Sequence, residues 1–253
     1  MRSIAIVSGK GGVGKTTSAI NLGVSLSSLG KNVIIVDANV STPDIGLSLG
    51  APVVPIALQL ILSGEEKAER AIYRDHSGTK IMPSSLSFVG NVKMENLKAV
   101  IEELKKISDI VLIDCAAGMN RDALTAIAAA DECLIVTNPE MPALASAMKT
   151  INAAKVLNKK VAGVLVTKSN RSNDIDLKNI KSLLEKEIIG VVPEDKNVRN
   201  ALLKRDALVL THPKSRASRS YMQVAQYLSG NYEASRFERL ANLLEDFKDL
   251  IFD

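Results

Sequence analysis

Eight short apolar runs recur along this chain with helical segments between them, and the runs lack the polar alternation of a half-buried strand. They fall at residues 4–7, 33–36, 80–82, 110–113, 133–136, 161–166, 188–192 and 208–210. A strand that is apolar at successive positions has both faces covered, which calls for a parallel sheet between two helical layers. Helical patterns fill the intervals at 16–29, 94–107, 121–130, 141–157, 174–184, 197–204 and 218–228, the first stopped by Gly30 and the fourth carrying Pro142 in its first turn. The alternation predicts an α/β fold, a doubly wound and mostly parallel sheet of about eight strands flanked by helices. No proline- or serine-rich linker divides the chain, so residues 1–230 are expected to form one domain. Residues 231–253 follow a Gly230-Asn231 break as an appendage.

Composition narrows the class. With 46% hydrophobic and 24% charged residues, the 253-residue chain is neither a disordered tail nor a fibrous repeat. Two cysteines, Cys115 and Cys133, make no disulfide framework and no Cys-x-x-Cys pair, which suits a reducing compartment. The apolar stretch at the start is too short for a signal h-region and reads as a first strand. A cytoplasmic location is expected.

The segment Gly9-Lys10-Gly11-Gly12-Val13-Gly14-Lys15-Thr16 matches G-x-x-x-x-G-K-[ST], directly after one apolar run and directly before a helical pattern. Glycines let successive backbone N–H groups turn inward as an anion nest, and the following helix adds its positive end. Lys15 supplies a point charge to the β- and γ-phosphates of a nucleotide, and the Thr16 hydroxyl is placed to ligate Mg²⁺. Asp37 and Asp114 each end a buried run, where a carboxylate emerges at the carboxyl edge of the sheet beside that loop.

Lys10 occupies a position that the general pattern leaves free. With it, Lys10-Gly11-Gly12-Val13-Gly14-Lys15-Thr16-Thr17 resembles the signature of the MinD/ParA family of deviant-Walker P-loop ATPases. Asn21-Leu22-Gly23, Val36-Asp37, Asp114-Cys115-Ala116-Ala117-Gly118, Asn138-Pro139-Glu140 and Val192-Pro193-Glu194-Asp195 extend the likeness over nearly the whole chain. Leu47-Ser48-Leu49-Gly50 bring it nearest to archaeal-type members. The resemblance implies a P-loop NTPase that binds ATP and Mg²⁺ through Gly11, Gly12, Val13, Gly14, Lys15, Thr16 and Thr17. It further implies an ATP-dependent sandwich homodimer in which Lys10 reaches the partner's phosphates, as an arginine finger does. Asp37 then belongs to switch I and Asp114 to switch II, with Thr16, Asp37 and Asp114 around the metal and the Gly118 N–H offered to the γ-phosphate.

Three departures from the family pattern stand out. The second switch I aspartate is Asn39, an amide that hydrogen-bonds water but cannot accept its proton, so slow hydrolysis is expected. The asparagine that often reads adenine is replaced by Thr167, followed by Lys168, leaving backbone around Pro193 and Glu194 to contribute to base recognition. Cys115 and Ala116 stand in switch II, the cysteine as a small buried filler.

Between Lys196 and Arg219 seven basic residues face one acid, Asp206, a net +6 that exceeds the whole-chain +4. This is a candidate surface for non-specific DNA. Phe237, Leu240, Leu244, Phe247 and Ile251 form one stripe of a C-terminal amphipathic helix. Relatives lay such a helix on the membrane, but six acids against three bases in 232–253 favour packing on protein instead, with peripheral membrane contact as the alternative. The function expected is a spatial switch in cell division or positioning that acts on a protein partner. The alternatives are a ParA-like partition ATPase and, with less support, a metal or iron–sulfur carrier.

Overall fold

The structure is a computed structural model and describes residues 1–230 apart from Pro52, Val89, Asn91 and residues 171–173. The expected C-terminal amphipathic helix therefore lies outside the described residues. Eight strands form one sheet: β1 (Arg2–Val7), β2 (Val33–Asp37), β3 (Tyr73–Arg74), β4 (Lys80–Met82), β5 (Ile110–Asp114), β6 (Glu132–Thr137), β7 (Lys160–Ser169) and β8 (Ile188–Pro193). Their order is β3-β4-β2-β5-β1-β6-β7-β8, and only the β3–β4 pair is antiparallel. The α-helices are α1 (Lys15–Ser28), α2 (Ile45–Ser48), α3 (Leu58–Ser63), α4 (Leu97–Lys106), α5 (Arg121–Ala129), α6 (Met141–Val156), α7 (Leu177–Leu184), α8 (Lys196–Leu203), α9 (Leu208–Thr211) and α10 (Arg216–Leu228).

The unbroken apolar runs have the reason expected of them, because alternate residues of each strand enter different cores. Ala5 and Val7 of β1, with Ile34 and Val36 of β2, pack against side chains of α3 to α7. Ile4 and Ile6, with Val33 and Ile35, pack against α1 and α8 to α10 on the other face. A strand with two dry faces has no place for polar alternation.

One expected strand is absent. Residues 208–210 form part of the helical turn α9, where Leu208 is buried in the α1-side core and the Val209 N–H donates to the Asn21 side chain at 3.0 Å. A three-residue apolar run carries no periodicity, and docking on α1 decides its form. The eighth strand is instead the two-residue β3. The short helices α2 and α3 also had no periodic signal of their own.

The strand order places β2, β5 and β1 side by side, with Asp37 paired to Asp114 and Asp114 to Ile6 in register. Paired residues of a parallel sheet project on the same side about 5 Å apart, so the two carboxylates emerge as neighbours. The loop after β1 rises beside them. Gly9, at the root of that loop, lies so close to α6 that a Cβ there would meet the Ser146 carbonyl oxygen at 2.4 Å, whereas a Cβ on Gly11 would find only Ala117 at 4.0 Å. We expect Gly9→Ala to lower unfolding free energy by about 1–3 kcal/mol and Gly11→Ala to stay within about 0.5 kcal/mol of wild type. Urea unfolding of the nucleotide-free protein checks both.

Candidate functional site

The loop between β1 and α1 carries the chain from the carboxyl edge of the sheet into the first turn of α1. Gly12 (φ 77°) and Gly14 (φ 90°) take the left-handed conformation that side chains resist, and Gly14 caps α1. From Lys10 to Thr17 no backbone N–H donates to another described residue. The N-terminal end of α1 adds its dipole to the same point.

The side chains around this loop form one buried charged cluster. Lys15 Nζ donates to Asp114 Oδ1 at 2.8 Å, and Thr16 Oγ1 donates to Asp114 Oδ2 at 2.6 Å. Burial pulls the Lys15 ammonium down, but the charge and hydrogen bond of Asp114 reverse this and leave it above the ordinary lysine value. Asp37 is fully buried and accepts the N–H groups of Asn39 on Oδ1 and of Asp44 and Ile45 on Oδ2, at 3.1–3.2 Å. Desolvation and the neighbouring Asp114 charge hold its pKa well above the usual carboxylate range. Burial and the same Asp114 charge raise Asp44. The set Lys15, Asp37 and Asp114 therefore holds two carboxylates against one ammonium. Two buried carboxylates and a hydroxyl are the donor chemistry that suits a hard divalent cation.

Several expected contacts differ in detail. The Gly118 N–H donates to the Ser8 carbonyl at 3.0 Å rather than standing free for a phosphate, and Gly118 itself is left-handed (φ 83°). Asn39 spends its amide inside switch I, with Nδ2 donating to the Thr42 carbonyl and Oδ1 accepting the Thr42 hydroxyl at 3.1 Å. Thr167 is buried and does not present a free polar edge to a base, because its hydroxyl lies 2.5 Å from the Val13 carbonyl. Lys168 Nζ donates to the Gly12 carbonyl at 2.6 Å. Pro193 ends β8 beside β7, and the Glu194 N–H donates to the Ser169 carbonyl at 2.9 Å. Thr17 is half-buried, its carbonyl accepting from Asn21 at 2.8 Å.

Lys10 is exposed, and Nζ lies 3.3 Å from Glu140 Oε2 at the N-terminus of α6. Both cysteines are fully buried, and burial pushes the thiol of Cys115 well up and that of Cys133 to about 12. They fill space as neutral thiols.

Sequence reasoning missed Ser8, whose Oγ donates to the Lys10 carbonyl at 3.1 Å, and Ser84, whose Oγ donates to the Asp37 carbonyl at 2.7 Å. Isolated serines carry no signal by spacing; the Ser8 contact depends on the local turn of the loop, and the Ser84 contact exists only once β2 and β4 lie side by side.

A glycine-rich loop from β1 to α1, a lysine–aspartate–threonine cluster at the carboxyl edge of the sheet and a second buried aspartate define a P-loop nucleotide-binding protein. Comparison with known proteins agrees. Residues 1–167 match the model of an AAA domain, and residues 88–249 match that of the 4Fe-4S iron sulfur cluster binding proteins of the NifH/frxC family. An uncharacterized ATP-binding protein of Methanocaldococcus jannaschii is 36% identical over 97% of this chain and 94% of its own. The septum site-determining protein MinD of Bacillus subtilis is 30% identical over 90% of this chain and 89% of its own. Among solved structures, Pyrococcus horikoshii MinD complexed with Mg-ADP superposes with a TM-score of 0.86 at 33% identity, over 90% of this chain and 95% of that one. The Aquifex aeolicus MinC:MinD cell division protein complex gives 0.84 at 28%, over 92% and 97%. The chain belongs to the MinD/ParA family of P-loop ATPases.

The strained Asp37 has a pH signature. Its folded pKa is raised, so between the unfolded value near 3.8 and the folded one the native state holds the extra proton, and stability falls as pH rises through that window. Replacement by asparagine removes this contribution whatever it does to the hydrogen bonds. We expect the difference in unfolding free energy, wild type minus Asp37→Asn, to decrease as pH is raised from about 4 through the folded pKa. Chemical denaturation of the nucleotide-free proteins across pH measures it, and a difference that rises with pH refutes the assignment.

Proposed function

We propose that this protein is a MinD-like ATPase that binds Mg·ATP at the loop of residues 9–17, dimerises in response and acts as a switch for a partner in cell division or intracellular positioning. The observation that carries the reading is Lys10. It stands in the signature position on the loop, yet points away from the Lys15–Asp114 cluster to an exposed Glu140. An exposed pair of this kind is worth about 0–1 kcal/mol, so the ammonium is released from Glu140 at little cost when a stronger anion approaches. Phosphates held by a second copy of the chain are such an anion.

In this reading the loop N–H groups and Lys15 hold the nucleotide phosphates, and Thr16, Asp37 and Asp114 hold Mg²⁺ directly or through water. Bound Mg²⁺ supplies charge neutralisation at the phosphates. The residues of the chain do the rest by position. Lys15 must turn from Asp114 toward a phosphate, Thr16 must release its hydroxyl from the same carboxylate, and Gly118 must free its N–H from Ser8. Asn39 accepts no proton and its amide is engaged by Thr42, so this position supplies no base for the attacking water. Slow turnover and a long-lived ATP-bound dimer follow. The relatives that carry the names MinD and the MinC:MinD complex support cell division as the setting and a protein as the partner.

Sedimentation of wild type and Lys10→Ala with and without Mg·ATP tests the switch. Wild type is expected to shift to dimer with Mg·ATP while Lys10→Ala binds the nucleotide and stays monomeric. A wild type that stays monomeric with bound ATP rejects the reading. Unpartnered turnover is expected below about 1 s⁻¹, the low end for enzymes, and Asn39→Asp is expected to raise it.

One observation favours a second surface activity. Lys196, Arg199, Lys204, Arg205, Lys214, Arg216 and Arg219 are all exposed on α8, α10 and the loops between them. If this surface holds DNA non-specifically, log K falls linearly with log salt, and neutralising Arg216 and Arg219 lowers the slope by about 2. Titration of Mg·ATP-loaded protein onto duplexes of unrelated sequence measures both, and binding indifferent to salt excludes it. Among the described residues no helix is long and apolar enough to cross a membrane.

A further inference from the structure

We infer that Thr167 and Lys168, at the carboxyl end of β7, are positioning residues that pre-shape the phosphate loop and do not select the nucleotide base. The inference rests on the ATPase reading above and adds to it a role opposite to the one their sequence position suggests.

The Thr167 hydroxyl has one proton and two lone pairs. The shortest contact, 2.5 Å to the Val13 carbonyl, takes the proton. The Asn138 Oδ1 at 3.1 Å and the Thr137 carbonyl at 3.2 Å are further acceptors within reach of the same proton. The one donor is thus surrounded by three acceptors of the protein itself, on a side chain that is 2% exposed. No donor is left for a purine.

Lys168 is held in place by the backbone. The register between β7 and β8 shifts between Thr167 and Ser169, and Lys168 takes the left-handed conformation at φ 55°. Bulges beside sites re-aim side chains, and a non-glycine residue at positive φ persists only where its surroundings enforce it. Here the distortion delivers Nζ to the Gly12 carbonyl at 2.6 Å.

The consequence for the loop follows from peptide planarity. In a trans peptide the C=O of one residue and the N–H of the next point in opposite directions. Holding the Gly12 carbonyl outward turns the Val13 N–H inward, and holding the Val13 carbonyl outward does the same for the Gly14 N–H. Ser8, through its hydroxyl on the Lys10 carbonyl, fixes the Gly11 N–H likewise. Three carbonyls clamped from outside set three donors of the anion nest before any phosphate arrives, which lowers the ordering cost of binding.

The test separates phosphate from base. Calorimetric titration would compare Mg·ATP, Mg·GTP and inorganic tripolyphosphate on full-length wild type, Thr167→Val, Thr167→Ser and Lys168→Ala, with thermal melts to establish folding. We expect Thr167→Val to weaken all three by about tenfold, the scale of one lost hydrogen bond, with the ATP to GTP ratio unchanged and Thr167→Ser restoring affinity. Lys168 is exposed, so Lys168→Ala should fold even if Thr167→Val does not. Its weakening of tripolyphosphate should persist in 1 M salt, where simple attraction by an exposed lysine is screened. A Thr167→Val protein with a changed ATP to GTP ratio and unaltered tripolyphosphate affinity overturns the inference for Thr167. A Lys168→Ala deficit that disappears in 1 M salt overturns it for Lys168. Wild type that binds neither ATP nor tripolyphosphate overturns the ATPase reading instead.

Discussion

The Asp114 carboxylate is the contact on which the site depends. It joins the central strand edge to the loop through Lys15 and to the first turn of α1 through Thr16, and it faces Asp37 across the β2–β5 pair. A buried ion pair of this kind gains little net stability, since desolvation offsets most of the attraction. Its value is positional: it holds the Lys15 ammonium and the Thr16 hydroxyl together at the carboxyl edge of the sheet. Binding of phosphate and cation then replaces internal contacts instead of creating order from nothing. The second carboxylate, Asp37, is held beside Asp114 at the cost of desolvation and of their mutual repulsion, which raise its pKa.

The doubly wound architecture was legible in the sequence because burial on both faces leaves an unmistakable trace, unbroken apolar runs at 4–7, 33–36 and 110–113 that became β1, β2 and β5. Runs of three residues were ambiguous: 80–82 became β4 as expected, but 208–210 did not become a strand. Residues 208–210 turned helical when Leu208 found the α1 core, and Tyr73–Arg74 joined the sheet only because β4 offered an edge. Propensity yields to tertiary contact at this length.

Within the site, legibility divided by what each residue bonds to. Lys15, Thr16, Asp37 and Asp114 were readable because their chemistry and their spacing from strand ends agree. Gly118 and Thr167 were readable as positions but not as contacts, because each is engaged by a carbonyl far along the chain, that of Ser8 and that of Val13. Ser84, on the Asp37 carbonyl, was invisible for the same reason. The Asn39–Thr42 and Ser8–Lys10 contacts are local, three and two residues apart, and depend on a loop conformation that residue type alone does not fix.

These internal engagements have a common logic that ties the cluster to the segments after β2 and β5. Asp37 accepts the N–H groups of Asn39, Asp44 and Ile45, so one carboxylate organises the backbone that follows β2 and the entry to α2. A cation drawn to Asp37 competes with those N–H groups for the same oxygens. Across β5, the Gly118 N–H is bound to the Ser8 carbonyl, and Ser8 in turn holds the loop through Lys10. The exposed Ser41 hydroxyl, 3.4 Å from Asp122, lies where the segments that follow β2 and β5 meet. Asp37 and Ser8 thus tie the backbone after two neighbouring strands to the same charged cluster and loop, so the conformation of each segment depends on buried hydrogen bonds and not on its own sequence alone.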